Sequence, residues 1–150
     1  MPREHATINM TREELGLFLG SQTRCIVGTL DAEAGPWGDA AACVFHDGAL
    51  YFRIPEKTRS LANLKRDPRV CCVIEDHPTG AEYYTIKGAL LHGRATAVAD
   101  PAAVQRVTSA LDLIPDPVTG RPSSDGTVFA VGIDDVASFD FAKIKRRFES

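Results

Sequence analysis

Apolar and polar positions along the chain alternate in short runs of two different periods. Leu15, Phe18 and Leu19 recur at helical spacing behind Thr11-Arg12-Glu13-Glu14, which has the T-x-x-E form of a capping box. This predicts a first helix over 13–19, ending near Gly20. Strand patterns follow over 24–30, 38–46 and 49–54. Ala34-Gly35-Pro36 marks the turn between the first two, and the Asp47-Gly48 pair predicts a hairpin between the next two. Pro55-Glu56-Lys57-Thr58 then breaks the β pattern. Thr58 is placed to cap a helix over 59–66 with Leu61 and Leu64 on one face, and Asp67-Pro68 stops it. Val70, Val73 and Ile74 make 69–75 a buried strand, and 77–80 reads as a loop. Residues 82–99 read as one long β segment, with Gly88 and Gly93 as bulges or corner bends. Asp100-Pro101 supplies an N-cap and a proline at the first helical position, opening a helix to about 111. A Pro-, Gly- and Asp-rich loop over 114–126 leads to closing strands at 127–133 and 136–141.

That order is β-rich with short helices, and short antiparallel strands with internal glycines describe a small closed or split barrel. A parallel βαβ sheet fits less well, because most links are too short for crossover helices. At 150 residues the chain makes one domain. A domain of that size buries about 70% of its unfolded surface, enough for a true core. The mix of 44% hydrophobic and 25% charged residues is ordinary for a globular protein, and a net charge of −3 gives no reason to expect a nucleic acid or an anionic membrane as partner. No apolar run approaches the roughly 20 residues needed to span a bilayer. Residues 1–10 carry no apolar core of a secretory signal, so a cytoplasmic protein is expected. Cys25, Cys43, Cys71 and Cys72 sit in apolar runs without C-x-x-C spacing and read as reduced, buried thiols. The histidines His5, His46, His77 and His92 lack metal-site spacing.

The stretch with most chemical content runs from Lys57 to Leu64. It follows a strand and opens a helix, whose unpaired N–H groups and positive dipole end attract anions. Lys57 and Arg59 add charge there, and Thr58 and Ser60 add hydroxyls. A phosphate monoester would suit such a junction. The same pattern also describes a solvated helix with flanking basic residues, and spacing alone leaves both readings open.

The run Tyr51-Phe52, followed by Thr58-Arg59-Ser60-Leu61-Ala62-Asn63-Leu64-Lys65-Arg66-Asp67-Pro68-Arg69-Val70, resembles the central motif of the pyridoxamine-phosphate-oxidase-like FMN-binding split barrels. Flanking features extend the likeness from about Thr11 to Ile144: the first helix, Gly35-Pro36, Ile86-Lys87-Gly88, Gly93-Arg94-Ala95 and the closing strand with Lys143. It looks closest to the flavin/deazaflavin oxidoreductase branch. The resemblance implies a mainly β, six- to seven-stranded antiparallel split barrel over 11–144, with an N-terminal arm over 1–10 and a basic tail over 145–150. It implies FMN or the deazaflavin coenzyme F-420 as cofactor, with the phosphate held between Ile54 and Ser60 by Lys57, Thr58, Arg59 and Ser60. The ring would lie near Ala42, Cys43 and Val44. A second copy of the chain would close the pocket, with Tyr83 and Tyr84 reaching across.

One position departs from the family pattern. Three residues before Asn63 the family usually carries a phosphate-gripping lysine, and this chain has Ser60. Either Lys57 and Arg59 supply the charge, or phosphate affinity is weakened, which leaves room for a deazaflavin, for haem on His92 or His46, or for no cofactor. Trp37, beside Pro36, reads as a packing or dimer-contact residue, with flanking the ring as the alternative, and Gly120 to Gly126 as a flexible loop, a candidate lid. The expected function is a homodimeric oxidoreductase transferring hydride to a small organic substrate. The alternative is a non-catalytic split-barrel binding protein for a flavin, haem or other planar ligand.

Overall fold

The computed structural model describes residues 8–77, 80, 82–117, 120–121 and 125–144. The expectations for 1–7, for the tail at 145–150 and for the centre of the 120–126 loop lie outside the described residues.

The capping signals form as written. Helix α1 spans Arg12–Gly20; the Thr11 side chain accepts the Glu14 N–H at 3.1 Å while Glu14 accepts the Thr11 N–H at 3.0 Å. Helix α2 spans Arg59–Arg66, with Thr58 as N-cap and the chain leaving in extended conformation at Asp67. Helix α3 spans Pro101–Leu111 and begins with its proline in the first turn. Asp100 is the N-cap residue by position, but its side chain makes no capping bond.

The strands are β1 (Arg24–Leu30), β2 (Pro36–His46), β3 (Ala49–Ile54), β4 (Arg69–Asp76), β5 (Lys87–Arg94), β6 (Thr96–Ala97), β7 (Thr127–Gly132) and β8 (Val136–Asp140). They form one curled antiparallel sheet in the order β6-β7-β3-β2-β1-β4-β5-β8. The β2–β3 hairpin turns at Asp47 and Gly48, with φ of +48° and +76°, a pair of left-handed residues that matches strand twist.

Eight strands replace the six to seven expected. The 82–99 segment is not one strand. It opens with a 3₁₀ turn at Tyr83–Thr85, in which the Thr85 hydroxyl and N–H both donate to the Glu82 carbonyl. It then bends at Ala95, whose N–H donates to the Pro68 carbonyl at 2.8 Å. On one side of the bend β5 pairs with β4 and β8; on the other, β6 pairs with β7. That bend carries the chain from one end of the sheet to the other and closes the barrel. Gly88 is glycine for contact reasons: a Cβ there would stand 2.2 Å from the Phe139 ring.

The main core gathers Leu15 and Leu19 of α1, Leu61 and Leu64 of α2, and the inward residues of the strands, among them Val27, Phe52, Ile54, Ile74 and Leu91. Cys25, Cys43 and Cys72 belong to it as small apolar side chains. A second cluster lies outside the barrel, where Val107 and Leu111 of α3 cover Ala42 and Val128. Residues ahead of α1 are pinned to β8: the Asp140 N–H donates to the Ile8 carbonyl at 2.8 Å and the Met10 N–H to the Ser138 hydroxyl at 2.9 Å.

Candidate functional site

The junction between β3 and α2 is where the sequence places an anion, and its polar groups are largely engaged. Lys57 is exposed and takes a left-handed φ of +60°, uncommon for a residue with a Cβ. Among the described residues it forms no ion pair. The Thr58 hydroxyl accepts the Leu61 N–H at 3.3 Å and donates to the Pro55 carbonyl at 2.8 Å, so both its functions are used. Ser60 is 1% exposed, and its hydroxyl donates to Asp39 Oδ2 at 2.5 Å. The Trp37 indole N–H donates to the same oxygen at 2.9 Å. The Arg59 guanidinium lies over the Trp37 ring, 4.1 Å from its centroid, a cation–π contact.

Two further groups fix this arrangement. Asn63, buried, donates to the Thr29 hydroxyl at 3.0 Å and ties α2 to β1, while Arg66 donates to the Leu30 carbonyl at 2.8 Å. Arg53, 7% exposed on β3, is paired with Asp112 at 2.7 Å. Nearby, the N–H groups of Gly35 and Glu33 hold the Asp31 carboxyl below its usual range, with Arg66 and Arg59 adding their field.

A phosphate monoester does not fit this junction as built. The hydroxyls of Thr58 and Ser60 are committed, Arg53 is bound to Asp112, and Arg59 rests on Trp37. The Asp39 carboxylate stands within hydrogen-bonding distance of Ser60, so an incoming phosphate would meet a like charge there. Lys57 and the backbone of the first turn of α2 remain, a weak set for a doubly charged group.

The ring positions are equally informative. Cys43 is fully buried in the barrel core, as is Ile54 at the start of the phosphate junction. Ala42 lies under α3, and Val44 packs against the same cluster. The open part of β2 is one step nearer its start. There Ala40 faces Ile26, Ile26 faces Val73, Val73 faces Leu90 and Leu90 faces Ala137 in register. Directly paired residues share a sheet face, so these form a continuous apolar row across β2, β1, β4, β5 and β8. None of the five is buried, and Ile26 is 48% exposed. A cleft of about 630 Å³ lies at this face, lined by Arg24, Ile26, Ala40, Val73, Glu75 and Asp76 among others. Tyr83 and Tyr84 do not line it; Tyr83 stacks on Phe141 at 4.7 Å, and Tyr84 meets Tyr83 edge-on.

The residues that reading the sequence missed are therefore Asp39, Ile26, Val73 and Leu90. Strand alternation marks Ile26 and Val73 as a face, but nothing local says that this face stays uncovered.

Comparison with known proteins decides the family. The pyridoxamine 5′-phosphate oxidase model matches residues 11–139. The chain belongs to that family. No curated protein is detectably similar in sequence. Among solved structures, a conserved hypothetical protein from Mycobacterium tuberculosis is 25% identical with a TM-score of 0.75, covering 93% of this chain and 91% of that one. A FAD-binding protein from Mesorhizobium loti is 16% identical with a TM-score of 0.69, covering 87% and 93%. HutZ, the haem storage protein of Vibrio cholerae, is 17% identical with a TM-score of 0.64, covering 85% and 95%. The last two share the fold with this family member. Among the described residues no cluster of three or more His, Cys, Asp or Glu is arranged to hold a metal ion, and no helix is long and apolar enough to cross a membrane.

Proposed function

We propose that the chain is a flavin- or deazaflavin-dependent oxidoreductase, using an isoalloxazine-type ring such as that of FMN or coenzyme F-420 on a small organic substrate, and that it works as a homodimer in the cytoplasm. The observation that carries this reading is the open apolar row through Ala40, Ile26, Val73 and Leu90 beside a 630 Å³ cleft, in a member of the pyridoxamine 5′-phosphate oxidase family. A flat aromatic ring is matched by a flat face of small and aliphatic side chains. A second copy of the chain would cover the rest of that face, because exposed apolar rows of this length are costly in a soluble monomer. The FAD-binding neighbour supports a flavin-type ligand. Tyr83 and Tyr84 stand ahead of β5, with flat faces and polar tips suited to contact a partner's ligand.

The test is parallel titration with FMN, F-420 and haemin, read by difference absorbance, followed by turnover of the reduced cofactor with candidate acceptors. Tight binding of a flavin-type cofactor with turnover supports the enzyme. Sedimentation gives the oligomeric state, and Ile26→Glu is expected to dissociate the dimer; a wild-type monomer at micromolar concentration refutes that part.

A second reading is a non-catalytic binding protein for a planar ligand, haem included. It is favoured by His92, which is exposed on β5 and registers with Cys71 next to the open row. Haemin binding that is lost in His92→Ala, without turnover of any flavin, would select it.

A further inference from the structure

We infer that this barrel takes its ring ligand without a phosphate monoester at the β3–α2 junction, because the chain supplies its own anion there in the Asp39 carboxylate. The ligand class rests on the reading above; the statement about phosphate does not.

The argument is one of donors and charge. An anion site at a helix start works by offering unspent N–H and O–H donors in a positive field. Here Ser60 occupies the position of the family's lysine, is 1% exposed, and spends its hydroxyl on Asp39. The Trp37 indole N–H is spent on the same carboxylate oxygen, and Arg59 is stacked on the Trp37 ring. Thr58 is spent on Pro55 and Leu61. Two donors, Ser60 and Trp37, are thus spent on an internal carboxylate, Arg59 is held on the Trp37 ring, and Thr58 is spent on the backbone. Replacing lysine by serine alone would only weaken phosphate binding. Pairing that serine with an aspartate places a carboxylate at the junction itself, where it repels an incoming phosphate. Asp39 and Ser60 are therefore specificity-determining residues that favour ring ligands without a phosphate monoester at this point, and they remove the advantage of FMN over riboflavin.

Trp37 is the single tryptophan of the chain, so its emission reports directly on the junction. Wild type and Asp39→Asn are titrated with inorganic phosphate, riboflavin and FMN, following Trp37 emission and flavin fluorescence, with circular dichroism confirming the fold. Wild type is expected to show no saturable response to millimolar phosphate and an FMN-over-riboflavin preference below about fivefold; Asp39→Asn is expected to gain a phosphate response and to shift the preference toward FMN by about tenfold, the scale of 1.4 kcal/mol. A wild-type preference above that limit, or a saturable phosphate response in wild type, overturns the inference. If wild type binds neither flavin, the ring-ligand reading fails, and the phosphate arm still decides: a response gained only in Asp39→Asn sustains the inference, and silence in both variants overturns it. Should Asp39→Asn not fold, the wild-type arms decide alone.

Discussion

The Asn63–Thr29 bond offers a sharp test of how α2 is held at its angle to β1. Both residues are 2% exposed, and the Asn63 amide donates to the Thr29 hydroxyl at 3.0 Å. Thr29 is also the cross-strand partner of Trp37, so the same pair sits directly behind the junction. Thr29→Val keeps the shape but leaves a buried amide donor without its acceptor, which costs about 1–3 kcal/mol. Asn63→Leu strands the Thr29 hydroxyl and removes one acceptor of Arg66, which keeps its 2.8 Å bond to the Leu30 carbonyl; about 1–2 kcal/mol is expected. If the two effects were independent, the double variant would lose about 2–5 kcal/mol by simple addition of those figures. Removing both partners together, however, leaves no buried polar group unpaired, and such paired replacement is close to neutral. The double variant should therefore be at least as stable as the weaker single, giving a coupling of about 2 kcal/mol. Urea unfolding with a common m-value measures all four corners of the cycle. Additivity within about 0.5 kcal/mol would refute the view that this bond, rather than general packing, secures the helix.

Further outcomes follow from other contacts. Gly88→Ala forces the Phe139 ring, 2.2 Å from the new Cβ and in contact with Phe141, out of its place; a loss of about 1–2 kcal/mol, or ~3–6 °C in Tm, is expected, and an unchanged melting curve would contradict it. Lys143 and the Thr11 N–H hold the Glu14 carboxyl down at about 2 from an ordinary 4.5. Because its folded value is depressed, its contribution is complete above pH 4.5 and is lost as pH falls toward 2. The stability gap between wild type and Glu14→Gln should therefore close across that window, and a gap independent of pH would count against the tie. Burial and the neighbouring Cys72 push the Cys71 thiol up, while Cys25, Cys43 and Cys72 are buried. A thiol reagent should thus find one slow cysteine in the native protein and all four in denaturant; two fast native thiols would argue against this packing.

Features written within a few residues of one another were legible before any coordinates. The Thr11–Glu14 box, the Asp47-Gly48 turn and the Thr58 cap each depend on local backbone chemistry, and each stands where the pattern puts it. Gly93 signalled a corner in this segment, but the bend itself falls two residues on at Ala95, whose N–H is held by Pro68, far away in sequence. The turn at Tyr83–Thr85 hid inside an apolar, aromatic stretch that reads as strand. The site shows the same division. Ser60 was visible as a departure from the family pattern, but its partner Asp39 lies 21 positions upstream, on β2. Likewise, alternation along β2 sorts Ala40, Ala42 and Val44 onto one side, yet only the docking of α3 decides that Ala42 is covered while Ala40 is left open.

That division of β2 has a functional consequence. Trp37 and Asp39 project toward α2, while Ala40, the next residue, turns to the opposite side of the pleat and meets Ile26 on the open row. The proposed ring surface and the charge that rejects phosphate are thus neighbours in sequence on opposite faces of one strand. A change at Asp39 leaves the ring face intact, and a change at Ile26 leaves the carboxylate tie intact. Affinity for the ring and discrimination of its tail are then separable properties of this barrel. In a site where a lysine both anchors the phosphate and positions the ring, they would be bound together.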